Sequence, residues 1–401
     1  MKTEILTNEP GRAAGLLRAG GLVAVPTETV YGLAGNGLDP DAVERIYEVK
    51  GRPAVKPLSL MVPGPKAFSE LCVDVPRAAY ALAARFWPGP LTIVLRAKPS
   101  IPSIVLAGGS TVGLRCPDSE KTLALLRVCG VPLAAPSANP SGEPSPKTAE
   151  EVLAYFDGAI DAVIDGGPCI LGTESTIVSL AGDGLAVLRQ GALPEEAVRR
   201  CLIDTLTVFG VTGGSGVGKT TMLDVLREKG ALVIDADEVY YDLCRSSGPM
   251  LAEIEARFPG VVEDGVLQRK KLGSVVFADA QALEDLRRIT DAYVEREIDR
   301  LLSDYAANGG RYAAVDAINV LGTKLETYAA ATIAVTAPEE ARVARLMARE
   351  GVTEEYARLR IRAQQPDAFF EENCTYTVHN DGTIEDFRRR CAELIGKLME
   401  E

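Results

Sequence analysis

Short apolar segments alternate with amphipathic ones along the first half of the chain. Apolar segments bounded by Gly, Pro or charged residues are typical of buried strands, and apolar positions that recur every three to four residues are typical of helices. The pattern predicts helices at 41–49, 77–86 and 194–204. It predicts strands at 21–25, 91–95, 111–114, 131–135, 162–164, 175–180 and 185–188. Together these elements indicate an α/β domain with a twisted mixed sheet.

The second half alternates strands and helices more regularly. Strands are predicted at 207–211, 231–234, 312–317 and 332–336, and helices at 219–229, 338–350, 354–363 and 384–398, with helical segments from the second strand to about residue 304. Repeated β-α-β order produces a parallel sheet, so we predict one here with helices on both faces. Because a new strand begins directly after the helix at 194–204, we predict two domains, 1–205 and 206–401.

Composition and charge exclude several classes of protein. The 401 residues are 47% hydrophobic and 25% charged, without a membrane-length apolar run or a signal-peptide core, which indicates a folded cytosolic protein. Eight scattered cysteines without a C-x-x-C pair indicate reduced thiols. The net charge of −13, divided as −3 before residue 206 and −10 after it, argues against bulk nucleic-acid binding.

The chain has one histidine, His379, which excludes histidine-based zinc sites and Ser-His-Asp hydrolysis over most of its length. Chemistry must therefore use Arg, Lys, Asp, Ser, Thr and backbone N–H groups. Such groups suit phosphate and acyl-phosphate reactions, in which positioning and charge neutralisation supply most of the catalysis.

A phosphate-binding motif opens the second half. Residues 213–220 read GGSGVGKT and match G-x-x-x-x-G-K-[ST] directly after an apolar strand and before a helix. Backbone N–H groups of such a loop surround a phosphate, Lys219 reaches the β- and γ-phosphate oxygens, and the Thr220 hydroxyl contacts Mg²⁺. The alternative is a Gly-rich turn without a ligand. Residues predicted to bind ATP here are Gly213, Gly216, Val217, Gly218, Lys219, Thr220 and Thr221.

Two further groups point to the same ligand. Asp235 and Asp237 follow the second strand, where carboxylates face the ligand crevice of a parallel sheet, although a helix N-cap is the alternative role. Arg345 and Arg349 are four residues apart on one predicted helix, so both guanidinium groups can face one anion or, alternatively, solvent.

These features make residues 206–401 similar to dephospho-coenzyme A kinases. The segments that carry the resemblance are 213–220, Asp235-Ala236-Asp237, Leu267-Gln268-Arg269, Val276-Phe277 and the Arg345/Arg349 pair. The resemblance implies phosphorylation of a ribose 3′-hydroxyl by ATP, with Asp237 as base and Arg345 and Arg349 near the ATP phosphates. Three positions depart from the family: Asp291-Ala292 replaces a His-Pro pair, Gly322 replaces a Glu, and a basic residue is missing near Phe370.

The first half carries a basic loop after a hydroxyl-rich turn. The turn at 26–32 reads PTETVYG, and Lys50, Arg52 and Lys56 follow within a segment stiffened by prolines. Three cations so close together suit a phosphate ligand, and a solvated basic loop is the alternative. Further motif segments are WPGPLT at 87–92, TVGLRCP at 111–117, APSANPSG at 135–142, TESTIV at 173–178 and LRQGA at 188–192.

In this order the segments resemble the YrdC-type threonylcarbamoyl-adenylate synthases over residues 10–195. The resemblance implies condensation of L-threonine, bicarbonate and ATP into threonylcarbamoyl-AMP and pyrophosphate, for a tRNA modification. It implies that Thr29, Arg115, Ala135 and Ser175 bind threonine, and that Lys50 and Arg52 are catalytic. ATP would be bound by Arg52, Lys56, Thr111, Ser137, Asn139, Ser145 and Arg189. A turn network is the alternative role of Ser137 and Asn139, and Met61 and Gln190 depart from the family pattern.

The leading hypothesis is a bifunctional enzyme that uses ATP and Mg²⁺ without a prosthetic group. Its expected partners are L-threonine, bicarbonate, ATP, dephospho-coenzyme A and the proteins of the tRNA threonylcarbamoyl-transfer complex, with neither a membrane nor direct bulk nucleic-acid binding. The alternative keeps the synthase but gives the second half a regulatory, catalytically weak nucleotide site. An RNA-binding first domain is a third possibility, against which the −3 charge and the compact basic loop argue.

Overall fold

A computed structural model describes residues 2–317 and 320–400 of the chain. It forms two compact units, Met1–Leu202 with Ala307–Gly309, and Ile203–Ala306 with Gly310–Glu401. The first unit thus ends three residues before the predicted boundary at 205/206, and it also includes a short segment from the end of a later helix. The predicted domain ranges contain Met1, Ile318, Asn319 and Glu401, which lie outside the described residues.

The first unit is built on a mixed sheet. Its strands are β1 (Glu4–Leu6), β2 (Val23–Val25), β3 (Gly32–Asn36), β4 (Leu60–Met61), β5 (Leu91–Arg96), β6 (Thr111–Arg115), β7 (Leu133–Ala134), β8 (Ala162–Ile164), β9 (Thr176–Ser179) and β10 (Ala186–Arg189). Its helices are α1 (Pro10–Arg18), α2 (Pro40–Lys50), α3 (Ala67–Leu71), α4 (Arg77–Phe86), α5 (Glu120–Cys129), α6 (Ala149–Phe156) and α7 (Glu195–Ile203).

The ten strands follow the order β1-β8-β2-β3-β7-β4-β6-β5-β9-β10. Parallel pairs such as β5 with β9 stand beside antiparallel pairs such as β5 with β6, which confirms the predicted mixed sheet. All three residues of β2 are buried, as the continuous apolar run predicts for a central strand. Strands β1, β3 and β4 were not predicted: β1 and β4 have only three and two residues, and β3 reads GLAGN, without the β-branched or aromatic residues typical of strands.

The second unit contains an all-parallel five-stranded sheet and a small hairpin. Its strands are β11 (Thr207–Thr212), β12 (Leu232–Asp235), β13 (Val262–Glu263), β14 (Val266–Leu267), β15 (Tyr312–Asp316), β16 (Ala329–Thr336) and β17 (Tyr376–His379). Its helices are α8 (Lys219–Glu228), α9 (Ala236–Ser246), α10 (Gly248–Arg257), α11 (Arg269–Val276), α12 (Ala280–Ala307), α13 (Glu339–Glu350), α14 (Glu354–Arg362), α15 (Asp367–Asn373) and α16 (Ile384–Glu400), with a 3₁₀ helix at Lys324–Tyr328.

The sheet order is β12-β15-β11-β16-β17, so the strand that precedes the phosphate-binding motif is central. Apolar residues of α8 and α16 pack on these strands, among them Leu226 and Phe387. The predicted parallel sheet is confirmed. The helical segments predicted to about residue 304 correspond to α9, α10, α11 and α12, but β13 and β14 form a hairpin between α10 and α11 that was not predicted. The physical reason is Asp264-Gly265, both with positive φ (49° and 76°), a pair that favours a tight hairpin turn.

Candidate functional sites

Helix α2 leads directly into the basic loop of the first unit. The helix begins where the Asp39 carboxylate accepts a hydrogen bond from the backbone N–H of Asp41, and it ends at Lys50. Gly51 follows in the left-handed region with φ of 56°, which favours glycine and turns the chain sharply. Lys50 and Arg52 therefore leave the helix end in different directions.

Arg52 faces a cavity of about 160 Å³ in the first unit. Six of the predicted site residues line this cavity: Arg52, Arg115, Ala135, Ser137, Ser175 and Arg189. The other lining residues are Val30, Tyr31, Gly32, Pro57, Leu58, Ser59, Met61, Thr92, Pro136, Glu174 and Ile177. Three arginines from separate segments thus converge on one space with a single carboxylate in its lining, an arrangement suited to an anionic ligand.

Arg115, at the end of β6, is a buried cation with a buried partner. Its guanidinium donates at 2.8 Å to Glu28 Oε1 and at 2.8 Å to Thr29 Oγ1. The side chains of Arg115 and Glu28 are 9% and 6% exposed, so the ion pair is removed from water. Thr29 does not line the cavity, but its hydroxyl is hydrogen-bonded to Arg115, which does. Glu28 was not predicted, although it stands inside the quoted turn segment.

Arg189, which also lines the cavity, is held by Glu174 and Ser175. Its guanidinium lies 2.5 Å from Glu174 Oε2 and donates at 2.8 Å to the Ser175 carbonyl oxygen. Glu174 Oε1 accepts a hydrogen bond from the Ser145 hydroxyl at 3.0 Å. Ser145 therefore lies next to the cavity wall without lining it. Glu174, another residue that was not predicted as functional, partly neutralises Arg189.

Lys50 is buried and does not line the cavity. Its ammonium donates to the carbonyl oxygens of Ser137 and Asn139, and only 3% of the residue is exposed. Burial, and to a lesser degree the Arg52 guanidinium, lowers the pKa of Lys50 to about 8. The side-chain oxygen Oδ1 of Asn139 is buried and has no hydrogen-bond partner among the described residues. Lys50 thus fixes the backbone that carries Ser137.

Lys56 and Thr111 were also predicted to bind ATP, but neither residue lines the cavity. Lys56 is exposed on the basic loop, and its carbonyl oxygen accepts from Tyr47 Oη at 2.9 Å. Thr111 begins β6, paired with Arg96 on β5. Met61, where the sequence departs from the family pattern, is a buried residue of the cavity wall.

The phosphate-binding loop of the second unit joins β11 to α8. Gly213 has φ of 140°, and a Cβ atom there would collide with the Val335 carbonyl oxygen, so glycine is required for this close approach. The cavity beside the loop has a volume of about 570 Å³. Its lining residues are Gly214, Ser215, Gly216, Val217, Gly218, Lys219, Thr220, Asp235, Asp237, Asp316, Arg345, Ala348, Arg349 and Arg360. Of the predicted residues, Gly213 and Thr221 do not line it.

Lys219 lines this cavity together with Asp316. Its ammonium donates to the Gly213 carbonyl oxygen at 3.1 Å and lies 3.3 Å from Asp316 Oδ1. Burial raises the pKa of Asp316, and the charge of Lys219 partly opposes that shift. Asp316, at the end of β15, was not predicted. Its position could have been predicted, because Asp316 ends an apolar strand and carboxylates at that end of a parallel strand face the ligand crevice.

The two predicted aspartates of the second site have different roles. Asp235 Oδ1 accepts hydrogen bonds from the backbone N–H groups of Asp237 at 2.9 Å and Glu238 at 3.2 Å, so Asp235 is the N-cap of α9. This is the alternative that the sequence left open for it. Both carboxylates line the cavity, but that of Asp237 is not used in the cap.

Helix α13 brings the two predicted arginines to the loop. Arg345 donates to the carbonyl oxygens of Gly216 at 3.0 Å and Val217 at 3.2 Å, and burial lowers its pKa. Arg349 pairs with the adjacent Glu350 at 2.5 Å. Arg360 of α14, which was not predicted, also pairs with Glu350 and lines the same cavity.

The positions that depart from the kinase pattern lie outside this cavity. Gly322 lies in an exposed turn with φ of 78°, where its N–H donates to Glu326. Asp291 is an exposed residue within α12. Phe370 of α15 is buried.

Within residues 2–317 and 320–400, no group of three or more His, Cys, Asp or Glu side chains is arranged to hold a metal ion. Nor does any helix in this part of the chain combine the length and apolar character needed to cross a membrane.

Comparison with protein families gives a match for each half. Residues 15–191 match the Sua5–YciO–YrdC family, whose description is "Telomere recombination". Residues 207–386 match the CoaE family, whose description is "Dephospho-CoA kinase".

Similar proteins fall into the same two groups. The chain is 46% identical over 198 residues to a threonylcarbamoyl-AMP synthase of Bacillus subtilis, covering 49% of this chain and 57% of that protein. It is 35% identical to the "Putative threonylcarbamoyl-AMP synthase" of Mycobacterium tuberculosis, covering 49% and 91%. It is 32% identical to the dephospho-CoA kinase of Brucella abortus, covering 48% and 96%.

The match spans little more than half the length of the Bacillus protein, but nearly all of the Mycobacterium and Brucella proteins. The first half of the chain therefore belongs to the Sua5–YciO–YrdC family and the second half to the dephospho-CoA kinase family.

Proposed function

We propose that the chain is a bifunctional enzyme with two separate ATP sites, one in each of the domains 1–205 and 206–401. The first site makes threonylcarbamoyl-AMP from L-threonine, bicarbonate and ATP. N-carboxylated threonine attacks the α-phosphorus of ATP, and pyrophosphate leaves. The second site transfers the γ-phosphoryl group of ATP to the 3′-hydroxyl of dephospho-coenzyme A, and ADP leaves.

The convergence of Arg52, Arg115 and Arg189 on one cavity is the observation that carries the first activity. We assign Arg115 to the threonine carboxylate, together with Thr29, Ser175 and the backbone of Ala135. Arg52 and Arg189 bind the ATP phosphates, where charge-assisted hydrogen bonds neutralise the developing negative charge. Further ATP contacts are assigned to Lys56, Thr111, Ser137, Asn139 and Ser145.

Lys50 acts on the first reaction through the backbone that it holds. Because its ammonium is bound to the Ser137 and Asn139 carbonyl oxygens, it keeps the 137–139 loop beside the cavity. Lys50 is thus a positioning residue and does not contact the reacting phosphate directly.

Lys219, Thr220 and Asp237 line the same cavity, and this observation supports the second activity. Lys219 binds the β- and γ-phosphates, and Arg345 and Arg349, which line the same cavity, also bind the ATP phosphates. Asp237 accepts the proton of the attacking 3′-hydroxyl, because its carboxylate lines the cavity without capping the helix.

The residues around Lys219 fit an ATP-bound Mg²⁺. The Asp316 carboxylate, whose buried Oδ1 lies 3.3 Å from the Lys219 ammonium, and the Thr220 hydroxyl line the same cavity. These oxygen ligands are of the kind that Mg²⁺ prefers. When bound, the ion would neutralise phosphate charge.

The alternative function for the second half is regulatory nucleotide binding. Gly322 and Asp291 favour it, since they replace the residues that the kinase pattern has at the acceptor side. For either function, we propose a cytosolic location and delivery of threonylcarbamoyl-AMP to proteins that modify tRNA.

The full-length protein tests both activities in one preparation. Pyrophosphate should appear only when ATP, L-threonine and bicarbonate are all present, and ADP only when ATP and dephospho-coenzyme A are present. Pyrophosphate without threonine would contradict the synthase. ATP binding without ADP formation would favour the regulatory alternative.

Arg52→Ala is expected to slow threonine-dependent pyrophosphate release at least tenfold, because one charge-assisted phosphate contact contributes about 1.5–3 kcal/mol. ATP binding by the second half should be unchanged. Lys66→Ala is the matched control, since Lys66 is an exposed cation outside the cavity. Undiminished pyrophosphate release by Arg52→Ala would remove Arg52 from the site.

A further inference from the structure

Arg342 is a buried cation beside the phosphate-binding loop that the proposed reaction does not use. It lies on α13, one turn before Arg345, but it does not line the cavity. Only 4% of the residue is exposed. A charge buried so deeply is costly unless hydrogen bonds and an opposite charge compensate it, so its partners indicate its role.

Those partners lie on the loop and on the segment after α14. Arg342 Nε donates to the Ser215 carbonyl oxygen at 3.0 Å, and Nη1 forms a 2.9 Å ion pair with Asp367 Oδ1. The guanidinium also packs directly on Gly214, where a Cβ atom would collide with it. Arg342 therefore contacts two consecutive residues of the loop from behind.

Gln364 completes the same network. Its Oε1 accepts from the Ser215 N–H at 2.8 Å, and its Nε2 donates to Ser215 Oγ at 2.8 Å. The carbonyl, N–H and hydroxyl groups of Ser215 are thus all held by side chains outside the loop. A rotated Ser215 peptide could turn its carbonyl oxygen toward the bound phosphates, and this network opposes that rotation.

We propose that Arg342, with Asp367 and Gln364, is a positioning residue that holds the phosphate-binding loop in its nucleotide-binding conformation. The inference rests on the proposed ATP site around Lys219. A loop ordered before binding loses less conformational freedom when the ligand arrives, so the network raises nucleotide affinity without touching the nucleotide. The network also connects the loop to the end of α14, the helix on which the cavity-lining residue Arg360 lies.

The test compares nucleotide affinity with stability in the full-length protein. Calorimetric titration with MgATP measures affinity, and urea unfolding without nucleotide, followed by circular dichroism, measures stability. Arg342→Met is expected to weaken MgATP binding about tenfold and to lower stability, because it leaves Asp367 without its partner. In the kinase assay the KM for ATP should rise, whereas the KM for dephospho-coenzyme A should not.

Two further variants separate positioning from stability. In the double variant Arg342→Met/Asp367→Asn no unpaired charge remains, so stability should recover while affinity stays about tenfold low. Arg342→Lys should keep the ion pair and the stability, but it should bind MgATP more weakly than wild type, because an ammonium cannot reproduce the planar set of donors.

Arg358→Gln is the matched control. Arg358 joins α13 and α14 through Glu339, Glu340 and Glu354 and makes no contact with the loop. An equal loss of affinity in Arg358→Gln, or wild-type affinity in the double variant, would overturn the inference and leave the ATP site intact. A wild-type protein that does not bind MgATP would overturn the proposed site and the inference with it.

Discussion

Replacing Lys219 by methionine is expected to weaken MgATP binding by the second half of the chain about hundredfold. Lys219 is the one cation in the phosphate-binding motif, and charge-assisted contacts to two phosphate groups together account for a loss of this size. Titration calorimetry on the full-length protein measures the effect. Threonine-dependent pyrophosphate release should continue at the wild-type rate.

The substitution also leaves Asp316 without its partner, so stability must be separated from binding. The double variant Lys219→Met/Asp316→Asn removes both charges of the 3.3 Å pair. Lys229→Met is the control, because Lys229 is an exposed lysine at the other end of α8. Wild-type affinity in Lys219→Met would show that nucleotide binds elsewhere.

Arg115→Met is expected to destabilise the first half of the chain and to abolish threonine-dependent pyrophosphate release. Removing one member of a buried ion pair leaves the other charge uncompensated, which typically costs about 3–5 kcal/mol of the free energy of unfolding. Here the uncompensated group is Glu28, whose side chain is 6% exposed. The single tryptophan, Trp87, lies in the first half, so its fluorescence can follow urea unfolding there.

The double variant Arg115→Met/Glu28→Gln should recover much of the stability while remaining inactive. Arg127→Met serves as the control, because Arg127 is exposed on α5. Stable but inactive Arg115→Met would mean that the ion pair contributes little to folding. An active double variant would show that Arg115 does not bind threonine.

The sequence was sufficient for the parts of both sites that form within one segment. The phosphate-binding loop is such a part, because its glycines, Lys219 and the start of α8 are consecutive. The cap formed by Asp235 was one of two roles that the sequence left open, although an N-cap depends only on the residues that follow it. The fold class follows similarly from the alternation of strands and helices.

Contacts between distant segments were the parts that the sequence did not predict. Glu28 and Glu174 stand inside motif segments, but their pairing with Arg115 and Arg189 depends on how β2, β6, β9 and β10 are arranged in the sheet. The inward direction of Lys50 likewise depends on the 137–139 loop. Asp316 differs from these residues, because its position at the end of an apolar strand was a usable signal.

The position of β11 at the centre of the second sheet has a consequence for how this half folds. Its residues pair with β15 on one side and β16 on the other, both roughly a hundred residues later in the chain. Pairing between such distant segments must overcome a large loop-closure entropy, so it forms slowly. During synthesis on the ribosome, the phosphate-binding strand must therefore wait for most of the second half before it gains either neighbour, and the kinase-like site is among the last parts of the chain to become ordered.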